Sequence, residues 1–191
     1  MKKFIKIALP ILLVCVAVPL IVWCISRGML RSEEQKFITG TWEEVNWSAD
    51  EPFDPLDEKL YHTINVKRGE PFTLLTLTDV HYRNGGWYGT WSVNYQNTKT
   101  DRDLKDLAQE ADPDLIIICG DLETGTLNDK NYEHFVEVMD EIGIPWTLVF
   151  GNHDAEHRAD KAALMNIVQR SEYSVFRQGP TNLGIEPEEA L

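Results

Sequence analysis

Residues 146–154 read Trp-Thr-Leu-Val-Phe-Gly-Asn-His-Asp, a short apolar run that stops at a glycine and three polar side chains. Two other stretches repeat the arrangement. Residues 72–78 (FTLLTLT) lead into Asp79-Val80-His81, and residues 115–119 (LIIIC) lead into Gly120-Asp121. Runs this short and this apolar predict strands buried on both faces. Each strand then delivers its polar residues at its carboxyl end. In open α/β sheets that edge is where ligands bind, so the three strings are expected to converge on one site.

The intervening segments have helical periodicity. Residues 101–111 place Leu104, Leu107, Ala108 and Ala111 on one face, and Pro113 closes the segment. Residues 132–142 carry a stripe of Phe135, Val136, Met139 and Ile142, with Gly143 and Pro145 as a stop. Residues 159–170 turn Leu164, Ile167 and Val168 inward. Strands alternating with helices of this length predict right-handed crossovers and a largely parallel sheet. The fold class is therefore α/β, a layered β-sheet core with flanking helices. Upstream, the alternation over 60–66 predicts a strand, and 67–70 a turn that makes it a hairpin with 72–78. Residues 83–100 read as a loop. In it, Trp87, Tyr88, Trp91 and Tyr95 either form a lip that stacks a sugar or base or bury themselves against the domain. Residues 173–176 read as the start of another strand.

The first segment is of a different kind. From Ile7 to Ile25 nineteen residues pass without a charge, flanked by Lys2, Lys3 and Lys6 and by Arg27 and Arg31. That length crosses a bilayer core. No small-x-small cleavage pattern follows the run, so it reads as an uncleaved single-pass anchor, with a cleaved secretory signal as the alternative. The leading lysines orient the remainder outside the cytoplasm. The domain organisation read from composition is a membrane segment at 1–31, an acidic linker at 32–58 and a folded domain at 59–191.

Charge narrows the partners. Beyond residue 31 the chain holds 13 basic and 31 acidic groups, a formal −18. Such a body repels nucleic-acid polymers, while small phosphorylated substrates stay open because bound cations invert the local field. The three cysteines, Cys15, Cys24 and Cys119, offer no plausible disulfide pair and read as small apolar residues.

The chemistry lies in the three strings. Asp79 and His81, two apart on a segment leaving a strand, can face one ion with oxygen and nitrogen ligands. An isolated Asp-x-His is more often merely hydrogen-bonded. Asp121 follows a glycine that permits a sharp turn, and its two oxygens can bridge two ions; a lone Gly-Asp more often caps a turn. Asn152 can ligate a second ion without adding charge. His153, left off the metals, can face the substrate, with Asp154 holding its ring tautomer. Glu123 reads as solvated or as a partner of a ligand. His62, His134 and His157 read as ordinary surface residues.

Taken together, Asp79-x-His81, Gly120-Asp121 and Gly151-Asn152-His153-Asp154 resemble the calcineurin-like metallophosphoesterase superfamily over about residues 71–180, near the relatives of the purple acid phosphatases. The resemblance implies a two-metal site holding Mn, Fe or Zn, with metal ligands Asp79, His81, Asp121 and Asn152 and a catalytic role for His153. It implies hydrolysis of a phosphate ester by a hydroxide that the two ions activate. Thr124 stands where the purple enzymes carry a ligating tyrosine. The superfamily's later His and its final Gly-His-x-His have no counterpart after His157, so the resemblance implies a chain lacking the C-terminal half of the domain. A catalytically inactive module on the same fold is the alternative function.

Overall fold

The computed structural model describes residues 14–25, 28, 36–41, 64–66, 69–83 and 89–178, the stretch 89–96 as backbone alone. It divides into two units, Met1–Lys36 and Phe37–Leu191. In the first, residues 14–25 are helical and largely exposed. Residues 7–13 of the expected anchor lie outside the described residues. Among those described, no helix is long and apolar enough to cross a membrane.

The second unit is built on a parallel sheet of three strands in the order β1-β2-β3, with β1 at Leu74–Leu77, β2 at Leu115–Cys119 and β3 at Trp146–Val149. Register aligns Leu75 with Ile116 and Ile116 with Trp146, then Leu77 with Ile118 and Ile118 with Leu148. These six share one face, since alternate residues point the same way. They belong to a single core with Leu104 and Ala108 of α1 (Gly89–Ala111), Phe135 and Met139 of α2 (Asn128–Ile142), and Leu164 and Val168 of α3 (Lys161–Val168). The aromatic centre of that core is Trp146, edge-on to Phe135 at 5.3 Å. All three helices contribute to this one core.

The opposite face departs from the expectation of strands buried on both sides. Leu74 is 50% exposed and Val149 59%. Thr76 and Cys119 are exposed as well, and Leu115, Ile117 and Thr147 are only half-buried. Cys119 thus ends its strand in the open rather than in the core. Among the described residues nothing covers this side.

Three further differences concern local structure. Helix α1 begins at Gly89, so most of the expected 83–100 loop is helical, while Leu107 and Ala111 of its expected inner face are exposed. Residues 64–66 form no strand, and the rest of the expected first hairpin arm lies outside the described residues. The expected strand at 173–176 is a single parallel bridge, Ser174 with Trp146. Helix α2 ends as its sequence dictates, at Gly143 with φ 73°, whose N–H donates to Met139 O. Helix α3 is capped by Asp160, whose side chain accepts from Ala163 N at 2.8 Å. Residues 37–41, within the expected linker, belong to this unit. Ile38 bridges Ala159, and Gly40 lies so close to α3 that a Cβ there would sit 2.3 Å from the backbone of Ala162.

Candidate metal centre

Past the ends of β1 and β2 the two segments keep pairing. Asp79 N donates to Gly120 O and His81 N to Asp121 O, both at 3.2 Å, and Tyr82 N donates to Leu122 O at 2.9 Å. Along this extension Asp79 and His81 have φ 54° and Asp121 has φ 51°. Left-handed backbone is uncommon for residues with a Cβ and costs free energy that the surroundings must sustain. Among the described residues only one other non-glycine, Asp112, shares it, just past the end of α1. The strain is gathered at three of the four residues expected as ligands, with Asn152 the exception.

The kinks aim side chains at one another. One ligand atom each from Asp79, His81 and Asp121 all lie within 4.8 Å of one another. His81 Nε2 is 3.3 Å from Asp79 Oδ1. Thr78 Oγ1 is within hydrogen-bonding distance of Asp79 Oδ2, at 2.6 Å, and of Cys119 O, at 3.0 Å. The Thr78 hydroxyl holds the Asp79 carboxyl below its usual range. Two carboxylates and an imidazole form a donor set that suits Mn, Fe or Zn, and their spread is one a single ion closes.

The loop after β3 is brought against this pair by a glycine and a buried carboxylate. A Cβ on Gly151 would fall 2.1 Å from Asp121 Oδ1 and 2.4 Å from Asp121 N, so only glycine permits the approach. Asp154 is fully buried. Its Oδ2 accepts from Gly151 N (2.7 Å) and Asp121 N (3.1 Å), and its Oδ1 from Glu123 N (3.2 Å). One side chain thereby fastens the end of β3 to the end of β2. Asn152 is exposed in that loop, directly between Gly151 and the His153 N–H that donates to Asp121 Oδ1 at 3.1 Å. The His153 and His81 rings are 6.1 Å apart.

The expected role of Asp154 needs correction. His153 Nδ1 pairs with Glu156 Oε2 at 2.9 Å, one turn onward, and this contact raises the His153 pKa. Asp154 is occupied by three amides and acts on the backbone, because the turn that begins at His153 carries the next residue inward. Glu123 also differs from the expectation of a solvated group. It is buried, its Oε2 accepts from Gly125 N (2.7 Å) and Asn131 Nδ2 (3.0 Å), and burial pushes its carboxyl up to about 7. His62 and the side chains of Trp87, Tyr88, Trp91 and Tyr95 lie outside the described residues.

Thr78 and Glu156 are functional candidates that sequence reading passed over. Thr78 adjoins Asp79, and Glu156 stands at i+3 from His153, the spacing at which side chains meet on one turn.

The profile of the calcineurin-like phosphoesterases matches residues 72–184. The chain belongs to that family. Among curated proteins, the chain is similar to a probable inactive purple acid phosphatase 28 of Arabidopsis thaliana, 33% identical over 118 residues, which is 57% of this chain and 30% of the relative. It is also similar to the uncharacterized protein YpbG of Bacillus subtilis (strain 168), 29% identical over 112 residues, 59% of this chain and 34% of that protein. The chain thus spans about a third of the length of the relatives it matches.

Proposed function

We propose that the chain serves a metal-dependent phosphoesterase that hydrolyses a small phosphorylated substrate. The observation that carries the reading is the convergence of Asp79, His81 and Asp121 within 4.8 Å, each in a strained left-handed conformation. Strain sustained at three neighbouring positions is a mark of function. Asp79, His81, Asp121 and Asn152 would hold the ions, with Asp121 the residue whose two oxygens could serve both. Two divalent ions supply, when bound, a nucleophile at neutral pH and positive charge opposite the phosphoryl oxygens. Asp154 and Gly151 keep the β3 loop against Asp121. His153, its proton affinity raised by Glu156, donates a proton to the leaving oxygen.

The test is metal uptake and turnover by one preparation. Chelator-treated full chain is titrated with Mn2+ by calorimetry and assayed on 4-nitrophenyl phosphate. Saturable binding that Asp121→Ala removes supports the metal centre, and Mn2+-dependent release of nitrophenol supports hydrolysis. No Mn2+ uptake overturns the reading. A second reading, a metal-holding but catalytically silent module, is favoured by the name of the plant relative, a probable inactive phosphatase; it predicts uptake without nitrophenol release.

The location follows from the uncharged run at 7–25 and the lysines before it. The run anchors the chain as a single-pass membrane protein with the catalytic unit outside the cytoplasm. Resistance of the full chain to alkaline carbonate extraction checks the anchor, and release into the soluble fraction contradicts it.

A further inference from the structure

The strained Asp79–His81 segment must be held by something, and its downstream side is gripped by a helix that carries no ligand. Tyr82 follows His81 directly and is buried. Its ring packs edge-on to Phe135 at 5.9 Å and to His134 at 5.5 Å. Its carbonyl accepts from Thr124 N at 3.0 Å. Its hydroxyl donates to Asp101 Oδ1 at 2.7 Å, and His134 Nε2 lies 3.0 and 3.1 Å from the two Asp101 oxygens. The next residue is held from the same helix: Arg83 N donates to Asn97 Oδ1, and Asn97 Nδ2 donates to Arg83 O, both at 3.2 Å. Asn97 and Asp101 are four apart on α1 and therefore share a face. His134 reaches the same carboxylate from α2.

We propose that Asn97, Asp101 and His134 are positioning residues for the metal centre, a clamp on Tyr82 and Arg83 that fixes where the His81 imidazole stands. The inference rests on the proposed metal site. None of the three is a proposed ligand. Their contribution is mechanical: Tyr82 can neither slide nor rotate while its hydroxyl is engaged, so the left-handed turn at His81 is sustained from its C-terminal side. Partners that orient a ligand in this way commonly cost ten- to a hundredfold in metal affinity when removed; a clamp one residue further out is expected to cost about five- to tenfold.

The test compares Tyr82→Phe, Asp101→Ala and Asp101→Asn in the full chain. Mn2+ affinity is read by calorimetry, and amide hydrogen exchange at His81 and Tyr82 is read in the metal-free protein. Tyr82→Phe and Asp101→Ala are each expected to weaken Mn2+ by about fivefold or more, and their double variant no further, because they break one chain of hydrogen bonds. Asp101→Asn keeps an acceptor oxygen and is expected to stay within about twofold of the parent. If Asp101→Ala fails to fold, Tyr82→Phe, which removes one oxygen, decides the matter. A parent that binds Mn2+ with variants that bind it equally well overturns the clamp and leaves the metal site standing. A parent that takes up no Mn2+ overturns the metal site, and the exchange rates then judge the clamp: at least about tenfold faster exchange in both variants supports it, and unchanged rates overturn it.

Discussion

Asp121 Oδ1 accepts the main-chain N–H of His153, so the carboxylate proposed to bridge two ions also seats the loop that carries the proton donor. The two duties separate on substitution. Asp121→Asn retains an oxygen for the His153 N–H but loses the charge that holds cations. It is expected to shift the unfolding midpoint by no more than a few degrees while weakening Mn2+ by about a hundredfold and ending turnover. Calorimetry beside a thermal melt checks both halves, and a variant that keeps parental Mn2+ affinity contradicts the bridging role.

Gly151→Ala tests the contact between strand ends. The added methyl meets Asp121 backbone as well as side chain, so no rotamer change relieves it. The expected cost is about 2 kcal/mol or more, read as a lower denaturant midpoint at unchanged slope, together with loss of metal uptake. Wild-type stability in this variant would show that the loop can stand off from Asp121 freely.

Asp154 and His153 are expected to part company in kinetics and stability. Asp154→Ala strips three amides of their acceptor in a buried setting and is expected to destabilise by several kcal/mol. His153→Ala leaves the backbone in place and is expected to leave Mn2+ affinity within about threefold while slowing hydrolysis by about a hundredfold. A His153→Ala enzyme with normal turnover removes the proton-donor assignment.

The buried Glu123 carboxyl gives a pH signature in the metal-free chain. Its folded value is pushed up to about 7 from the ordinary value of 4.5, mainly by burial. Between those values the folded state holds a proton that the unfolded chain has released. Stability from the neutral carboxyl is therefore full below about pH 4.5 and is lost as pH rises to about 7. Denaturant midpoints measured across that window are expected to fall more steeply in the parent than in Glu123→Gln. Parallel curves would show that the group titrates normally.

The sheet was legible because apolar, branched strands and stripes such as Phe135, Val136 and Met139 are set by which residues avoid water. The convergence of the three polar strings followed from the same strands, since each ends where its polar residues begin. The start of α1 was not legible. Residues 89–100 carry Gly, Thr, Trp, Ser, Asn and Tyr without an apolar stripe, so no periodic signal marks the helix that starts at Gly89. The burial of Glu123 was hidden for the opposite reason, because a carboxylate is expected in water unless partners such as Gly125 N and Asn131 are known in advance. Adjacency misassigned the partner of His153. Asp154 is its neighbour in sequence, but the turn places Glu156 beside the ring.

Leu74 and Val149 stand on opposite margins of the open side of the sheet. Wetting such apolar surface costs roughly 25 cal/mol for each Å2. A layer that settles there recognises the native arrangement and not the unravelled chain, so the apparent melting temperature becomes a function of how much of that layer is present. With that side bare a melting curve reports the polypeptide alone, and with it covered the same residues would melt higher.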